Sequence, residues 1–150
     1  MGYYDEISSS YNEMYGEEQK KKFEKIKKYI SGKTLDVGCG TGISTPENGI
    51  GIDPSFKLLK INSKKHVQGI AENLPFPDKS FDTVICLTAV HNFSDIKKGL
   101  KEIKRVGKKI YIISILKKSK RFNEIKEKVN QIIRPNKEID DEKDLILVKN

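Results

Sequence analysis

The sequence predicts an α/β fold, a doubly wound sheet of six or seven mostly parallel strands with helices on both faces. Short apolar segments alternate along the chain with segments of helical periodicity. The segment Phe81–Leu87 is nearly all apolar in its second half, which indicates a strand covered on both faces. The loops rich in glycine or acidic residues follow the ends of the apolar segments, where ligands bind in sheets of this kind.

The first predicted element is a helix over residues 11–29. Phe23, Ile26 and Ile30 recur at helical spacing with lysines between them. Gly32 then suits the left-handed position that ends many helices. We therefore expect an N-terminal helical segment to precede the first strand.

Six apolar segments are predicted as strands, and three further segments as helices. The strands are Thr34–Val37, Gly49–Asp53, His66–Ile70, Phe81–Leu87, Lys109–Leu116 and Asp144–Lys149. The helices are a weak one at Ser55–Lys60, then Ile96–Val106 and Phe122–Ile133. We expect a single domain, with residues 1–31 as a helical or lid segment and residues 32–150 as the α/β core.

Two connections are short for this architecture. The segment between Gly42 and Gly51 contains Pro46 and Gly49 and has little room for a crossover helix. We expect an irregular link there, which leaves one face of the sheet thinly covered. Few residues follow Pro135, so we also expect one clear final strand with a short or missing partner.

The net charge of +8 is unevenly distributed. Residues 97–137 hold 15 Lys and Arg residues against three acids, a local charge of +12. Such a block can form a docking surface for RNA or an acidic partner. It can equally be the solvated helix faces of a lysine-rich chain, since only three of these residues are arginines. Both interpretations stay open.

Composition and terminal pattern indicate a cytoplasmic protein without a membrane segment. No apolar run approaches the roughly 18–20 residues that a membrane helix needs. The N-terminus MGYYDEISSS lacks the basic-then-apolar order of a secretory signal. Cys39 and Cys86 are too few for a disulfide framework and too far apart for a zinc pair, so we expect reduced thiols and no metal.

The strongest local signal is LDVGCGTG at residues 35–42. Gly38, Gly40 and Gly42 allow a sharp turn and a close approach of the backbone to a ligand. A dinucleotide-binding fingerprint would place its third glycine at position 43, which is Ile. The spacing therefore argues against a nicotinamide or flavin cofactor.

A second signal is Asp53, which ends the second predicted strand 17 residues after Asp36. A carboxylate at this position of an α/β sheet accepts hydrogen bonds from ribose hydroxyls. Alone it would be weak, because aspartates at strand ends also stabilise turns. Its distance from the glycine loop strengthens the ribose interpretation.

Together with GIDPS and AENLPFPDKSFDTVICL, the glycine loop resembles the class I S-adenosylmethionine-dependent methyltransferases. The likeness is closest to the small quinone-biosynthesis (type 11) group and covers about residues 30–116. It implies a Rossmann-like sheet whose last strand is antiparallel, and S-adenosyl-L-methionine as the cofactor. The implied cofactor-binding residues are Asp36, Gly38, Cys39, Gly40, Gly42, Asp53, Pro54, Ala71, Glu72 and Leu87.

The resemblance assigns these residues different parts of the cofactor. Asp36 would organise the amino end of the methionine moiety through water, and the glycines would line the methionine and ribose. Asp53 would hold the ribose, Ala71 and Glu72 would flank the adenine, and the Leu87 carbonyl would face the methionine amine. Family members often carry an acid just before the Ala-Glu pair, where this chain has an isoleucine.

Two further groups are candidates for the reaction itself. His91, just after the fourth strand, is placed for a general base, or it packs beside the start of the next helix. Among the N-terminal aromatic residues Tyr3, Tyr4, Tyr11 and Tyr15, Tyr11 is the best candidate to face the sulfonium through cation–π attraction. A helix packed on the sheet or a frayed terminus is the alternative.

The sequence therefore predicts a methyltransferase acting on a small-molecule acceptor, as a monomer or small homo-oligomer. An RNA or protein methyltransferase that docks through residues 97–137 is a second hypothesis. A non-catalytic cofactor-binding subunit that needs a partner chain is a third. The segment after the fourth strand reads LTAVH, without the Asn/Asp-Pro-Pro-Tyr motif of nucleobase and glutamine amino-methyltransferases.

Overall fold

A computed structural model describes the backbone of residues 8–150 and the side chains of residues 16–150. Its helices are α1 Ser8–Ile26, α2 Phe56–Lys60, α3 Ile96–Val106 and α4 Phe122–Ile132, with 3₁₀ turns at Lys27–Tyr29, Ala71–Asn73 and Val90–Asn92. Its strands are β1 Thr34–Val37, β2 Ile50–Asp53, β3 His66–Gln68, β4 Phe81–Leu87, β5 Gly107–Leu116, β6 Lys137–Asp140 and β7 Asp144–Lys149. The predicted order of helices and strands is confirmed.

All seven strands form one sheet in the order β3-β2-β1-β4-β5-β7-β6. The pairs among β1 to β5 are parallel, whereas β7 is antiparallel to both β5 and β6. The Rossmann-like architecture with an antiparallel last strand is therefore confirmed. The partner of that strand, β6, is present but has only four residues.

The strand order reverses between β1 and β4. From β1 the chain proceeds through β2 to β3 on one side, and then crosses to β4 and β5 on the other. Neighbouring crossovers therefore leave a crevice outside the carboxyl ends of β1 and β4, the position at which open α/β sheets bind ligands.

The two faces of the sheet are covered unequally. On one face, α3 and α4 pack a large apolar cluster that includes Leu100, Ile103 and Ile125. On the other face, Ile26 of α1 packs into a smaller apolar cluster that contains Ile85. Turns and bends occupy residues 41–49 between β1 and β2, so the link is irregular, as expected, and no crossover helix covers the second face there.

Ion pairs attach α1 to the β6–β7 hairpin. Lys25 lies 2.7 Å from Asp141, and Glu18 pairs with Lys143. These contacts supplement the small apolar interface of this helix. They hold α1 beside the edge of the sheet at which β4 and β5 end.

Candidate active site

A cavity of about 520 Å³ lies at the carboxyl ends of β1, β2 and β4. Its volume is in the range of small-molecule and cofactor sites. Its lining consists of Gln19, Val37, Gly38, Cys39, Gly40, Thr41, Ile43, Ser44, Ile52, Asp53, Pro54, Ser55, Leu58, Gly69, Ile70, Ala71, Glu72, Thr88, Ala89, Asn92, Phe93 and Ser94. Seven predicted cofactor residues are among them: Gly38, Cys39, Gly40, Asp53, Pro54, Ala71 and Glu72.

The glycine loop turns directly after β1 and is bonded to β2. The N–H groups of Gly38 and Cys39 both donate to the Ile52 carbonyl, at 2.8 and 3.1 Å. At Gly38, where φ is +80°, a Cβ atom would lie 2.5 Å from the Ala89 methyl group. At Gly40, where φ is +53°, a Cβ atom would meet only Leu58, at 3.7 Å. Packing thus requires glycine at position 38, whereas at position 40 a Cβ atom would make only an ordinary van der Waals contact, and the residue lines the cavity.

The Asp53 carboxylate is held by two backbone groups. Its Oδ2 accepts a hydrogen bond from Gly40 N at 2.9 Å, and its Oδ1 accepts one from Ser55 N at 2.8 Å. The side chain is mostly buried yet lines the cavity. The carboxylate thus bonds to the backbone after β1 and after β2 while lying at the cavity wall.

Three predicted residues lie outside the lining. Asp36, Gly42 and Leu87 are buried and do not border the cavity. The hydroxyl of Thr45 donates to Asp36 Oδ2 at 2.7 Å. Burial raises the pKa of Asp36 to about 7, and the neighbouring charge of Asp53 adds to this rise while the Thr45 hydrogen bond opposes it. Gly42 packs against the side chain of Asn62.

His91 lies in the 3₁₀ turn after β4 and is half-buried. It does not line the cavity, although the following residues Asn92, Phe93 and Ser94 do. Burial lowers the pKa of His91, with Arg121 reinforcing and Asp144 opposing this effect. The imidazole is therefore neutral at pH 7 and chemically able to accept a proton.

The N-terminal tyrosines cannot be placed at the site. Tyr3 and Tyr4 lie outside the described residues. Tyr11 and Tyr15 belong to α1, but their side chains also fall outside the described part of the chain. The sulfonium contact of Tyr11 stays a prediction.

The cavity also contains residues that the sequence did not single out, among them Gln19, Ser44 and Thr88. Thr88 follows β4 with a left-handed backbone, φ +54°, and its N–H donates to Ser114 Oγ at 2.8 Å. Its hydroxyl donates to Asp144 Oδ2 at 2.6 Å. These contacts join residues 26 and 56 positions apart, so no local pattern announces them.

At the β2–β3 side the cavity is apolar. Ile70, 50% exposed, forms its rim, beside Leu58 and Ala71. The nearby Glu72 is engaged with the protein, since its Oε2 accepts a hydrogen bond from Asp95 N at 3.1 Å. This end therefore suits a planar apolar group.

Among the described residues, no group of three His, Cys, Asp or Glu side chains could hold a metal ion. Cys39 and Cys86 are both free and buried, and burial raises the pKa of each thiol. No helix within residues 8–150 is long and apolar enough to cross a membrane.

Residues 35–112 match a protein family described as "Methyltransferase domain" (Methyltransf_11). An uncharacterized protein of Methanocaldococcus jannaschii is 36% identical over 116 residues, which cover 71% of this chain and 46% of that protein. The demethylmenaquinone methyltransferase of Corynebacterium kroppenstedtii is 38% identical over 85 residues, covering 51% of this chain and 37% of that enzyme. The chain thus spans about half the length, or less, of these curated relatives.

A structural likeness extends over nearly the whole chain. It is to the Haloferax volcanii protein solved in complex with the Trm112 methyltransferase activator, with a TM-score of 0.73. The match covers 99% of this chain and 97% of that protein at 15% identity, which shows a shared fold.

Proposed function

Because the chain belongs to the Methyltransf_11 family of methyltransferase domains, we propose that it transfers a methyl group from S-adenosylmethionine to a small-molecule acceptor. One observation carries this proposal. The glycine loop and Asp53, which lie in the first part of the family match, are hydrogen-bonded to each other and together line a cavity of cofactor size. Elongated nucleoside ligands bind in this way at the switch point of an α/β sheet.

The residues present fit the cofactor. Gly40 lets a ligand lie close to the backbone, and the Asp53 carboxylate lies at the cavity wall, where ribose hydroxyls would approach it. The apolar end beside Leu58 and Ile70 suits the adenine ring. The sulfonium of bound S-adenosylmethionine supplies an electrophilic methyl group that the acceptor displaces in line.

The contribution of the protein is mainly alignment and exclusion of water. We expect Asp53 and the glycine loop to fix the sugar, which directs the sulfur toward Thr88 and Ala89 at the end of β4. An acceptor can then approach from the side of Asn92 and Phe93. His91, one residue before them, is the candidate base for an acceptor that must lose a proton.

The small-molecule class of the acceptor is supported by the name of one relative, the demethylmenaquinone methyltransferase. To test it, the protein is incubated with methyl-labelled S-adenosylmethionine and fractionated cell extract. We expect label in the small-molecule pool, with a rate that changes little between low and high salt. Label in RNA or protein, with transfer that declines steeply as salt rises, would favour docking through residues 97–137 instead.

A cofactor-binding subunit that needs a partner chain is the second candidate. This candidate is favoured by the structural likeness to the Haloferax volcanii protein, which has nearly the same length and was solved in complex with an activator. The described large apolar side chains that are exposed, Phe56, Ile61 and Ile70, lie close together in the sequence around α2 and the outermost strand β3. All the charged side chains between residues 55 and 71 are lysines.

This second function predicts cofactor binding without methyl transfer by the isolated chain. Transfer should appear when a purified activator of the Trm112 type is added, and Phe56→Glu should abolish that gain without changing affinity for S-adenosylhomocysteine. Full activity of the isolated chain would exclude it.

A further inference from the structure

Gln19 of α1 and Ser44 of the turn after the glycine loop meet at one end of the cavity. Both side chains line it, although they are only 6% and 4% exposed. Gln19 Nε2 donates a hydrogen bond to Ser44 Oγ, at 3.3 Å. Two buried polar groups therefore border the cavity and are bonded to each other.

The direction of the Gln19 amide is determined by Lys22. The Lys22 ammonium donates to Gln19 Oε1 at 2.9 Å. Because an ammonium has no acceptor, the amide oxygen must face Lys22, and the amide NH₂ must face Ser44 and the cavity. A flipped amide would place its NH₂ group against the Lys22 ammonium, donor against donor.

Lys22 is itself buried and paired. Its ammonium lies 3.2 Å from Asp144 Oδ2 and also donates to the Thr88 hydroxyl. Removing either charged partner would leave an unpaired buried charge, so the pair strongly restrains both groups. The Gln19 amide therefore has a rigid support that joins α1 to the ends of β4 and β7.

Ser44 and Gln19 each keep a hydrogen that is not used in the bond between them, so both can act as hydrogen-bond donors at this end of the cavity. Ser44 Oγ accepts the bond from Gln19 and so keeps its own proton for donation, and Gln19 Nε2 has a second hydrogen. Two converging donors match the two oxygens of a carboxylate. Since Asp144 balances the charge of Lys22, the surroundings suit the carboxylate of a zwitterion better than a phosphate dianion.

The strand order places this end across the glycine loop from Asp53. Asp53 ends β2, the glycine loop follows β1, and Thr88 follows β4, which are successive neighbours in the sheet. Strand spacing of about 4.8 Å puts the ends of β2 and β4 roughly 10 Å apart. A ligand whose sugar lies at Asp53 and whose chain crosses the loop would extend toward the end of β4, where Lys22 bonds both Thr88 and Gln19.

We infer that Gln19 and Ser44 bind the carboxylate at the amino-acid end of the cofactor, and that Lys22 with Asp144 positions the Gln19 amide. This inference rests on the proposed function and adds the residues that distinguish a complete cofactor from its nucleoside fragment. It assigns α1 a direct part in the cofactor site.

The test compares two ligands by calorimetry. S-adenosylhomocysteine carries the amino-acid group, whereas methylthioadenosine has the same nucleoside without it. Gln19→Leu and Ser44→Ala should each lower the affinity for S-adenosylhomocysteine about 10- to 100-fold, since each removes a hydrogen bond to a charged group. Methylthioadenosine should bind both variants within about twofold of wild type. Gln131→Leu, an exposed glutamine of α4, is the matched control and should change neither affinity.

Lys22 is tested through the ratio of the two affinities, which a merely structural role would not move. Lys22→Met should lower the preference for S-adenosylhomocysteine over methylthioadenosine, and Lys22→Arg should restore part of it. Equal ratios in wild type, Gln19→Leu and Ser44→Ala would overturn the inference while leaving the proposed function intact. The inference would also be overturned by a variant that has the melting temperature of wild type but binds neither S-adenosylhomocysteine nor methylthioadenosine. Failure of wild type to bind either ligand would instead refute the proposed function.

Discussion

The carboxylate of Asp53 accepts a hydrogen bond from the backbone N–H of Gly40, with 2.9 Å between Oδ2 and the nitrogen. This bond ties the end of β2 to the loop that follows β1. Because the other oxygen receives Ser55 N, the carboxylate holds the loop and faces the cavity at the same time. We therefore expect both the fold and ligand binding to depend on the Asp53 side chain.

Asp53→Asn should lower both the stability of the fold and the affinity for the ligand. An asparagine has one acceptor oxygen, so its NH₂ group must face one of the two backbone donors, and that donor loses its partner. We expect a loss of about 1–3 kcal/mol in the free energy of unfolding. Affinity for S-adenosylhomocysteine should fall about 10- to 100-fold, by calorimetry. Asp95→Asn is the control, because Asp95 caps α3 and asparagine caps equally well. Unchanged affinity in Asp53→Asn would argue against the ribose contact.

Gly38→Ala and Gly40→Ala should separate folding from binding. At Gly38 the added methyl group would lie 2.5 Å from Ala89, so we expect reduced stability or no soluble protein. At Gly40 it would meet only Leu58 at 3.7 Å, and the left-handed backbone should cost about 1–2 kcal/mol. Gly40→Ala should therefore fold but bind S-adenosylhomocysteine more weakly. Thermal melting and calorimetry measure the two effects, and wild-type affinity in Gly40→Ala would contradict the loop assignment.

The parts of the site that the sequence predicted are those that depend on local pattern. The glycine spacing indicated the loop, and Asp53 was found because it ends an apolar segment. The missing helix between β1 and β2 followed from a segment too short to form one. Each of these features is determined within about 20 residues of chain.

The polar end of the cavity could not be predicted in this way. Lys22 and Asp144 are 122 positions apart, and their pairing depends on the docking of α1 against the hairpin. Gln19 looks like any polar residue of a lysine-rich helix until that contact is known. His91 has the sequence position of a base, but the 3₁₀ turn that contains it brings Asn92 and Phe93 to the cavity instead.

Asp36 should make stability depend on pH. Its pKa is raised from 3.8 to about 7 in the folded protein, so between these values the folded state keeps a proton that the unfolded state releases. The free energy of unfolding should therefore be highest at low pH and fall as pH rises from about 4 to 7. Above about pH 7 this group should cause no further change. The total change is on the order of 4 kcal/mol.

Asp36→Asn removes this ionisation while keeping an acceptor for the Thr45 hydroxyl. Its stability relative to wild type should increase as pH rises through the same window, measured by urea denaturation at several pH values. Thr45→Ser, which keeps the hydroxyl, should follow the wild-type profile. A pH-independent difference between Asp36→Asn and wild type would mean that Asp36 is ionised throughout.

His91 provides the last prediction, because its two roles imply different pH profiles. A general base must be neutral to accept a proton. Burial lowers the pKa of His91 below the ordinary 6.5, so the imidazole meets this requirement at neutral pH. Methyl transfer should then decline only below about pH 6.5. His91→Gln should lower kcat by about 10²-fold or more and remove that acidic limb.

As a packing residue, His91 should affect stability and not rate. A histidine whose pKa is lowered on folding contributes stability above its unfolded pKa, and this is lost as pH falls through the folded value. His91→Gln would then lack this part of the acid destabilisation and keep kcat within about tenfold of wild type, a range smaller than general base catalysis provides. The position of His91 outside the cavity lining favours this outcome unless a bound acceptor reaches it. Measuring kcat and unfolding free energy of both proteins between pH 5 and 8, the range in which histidine titrates, distinguishes the two roles.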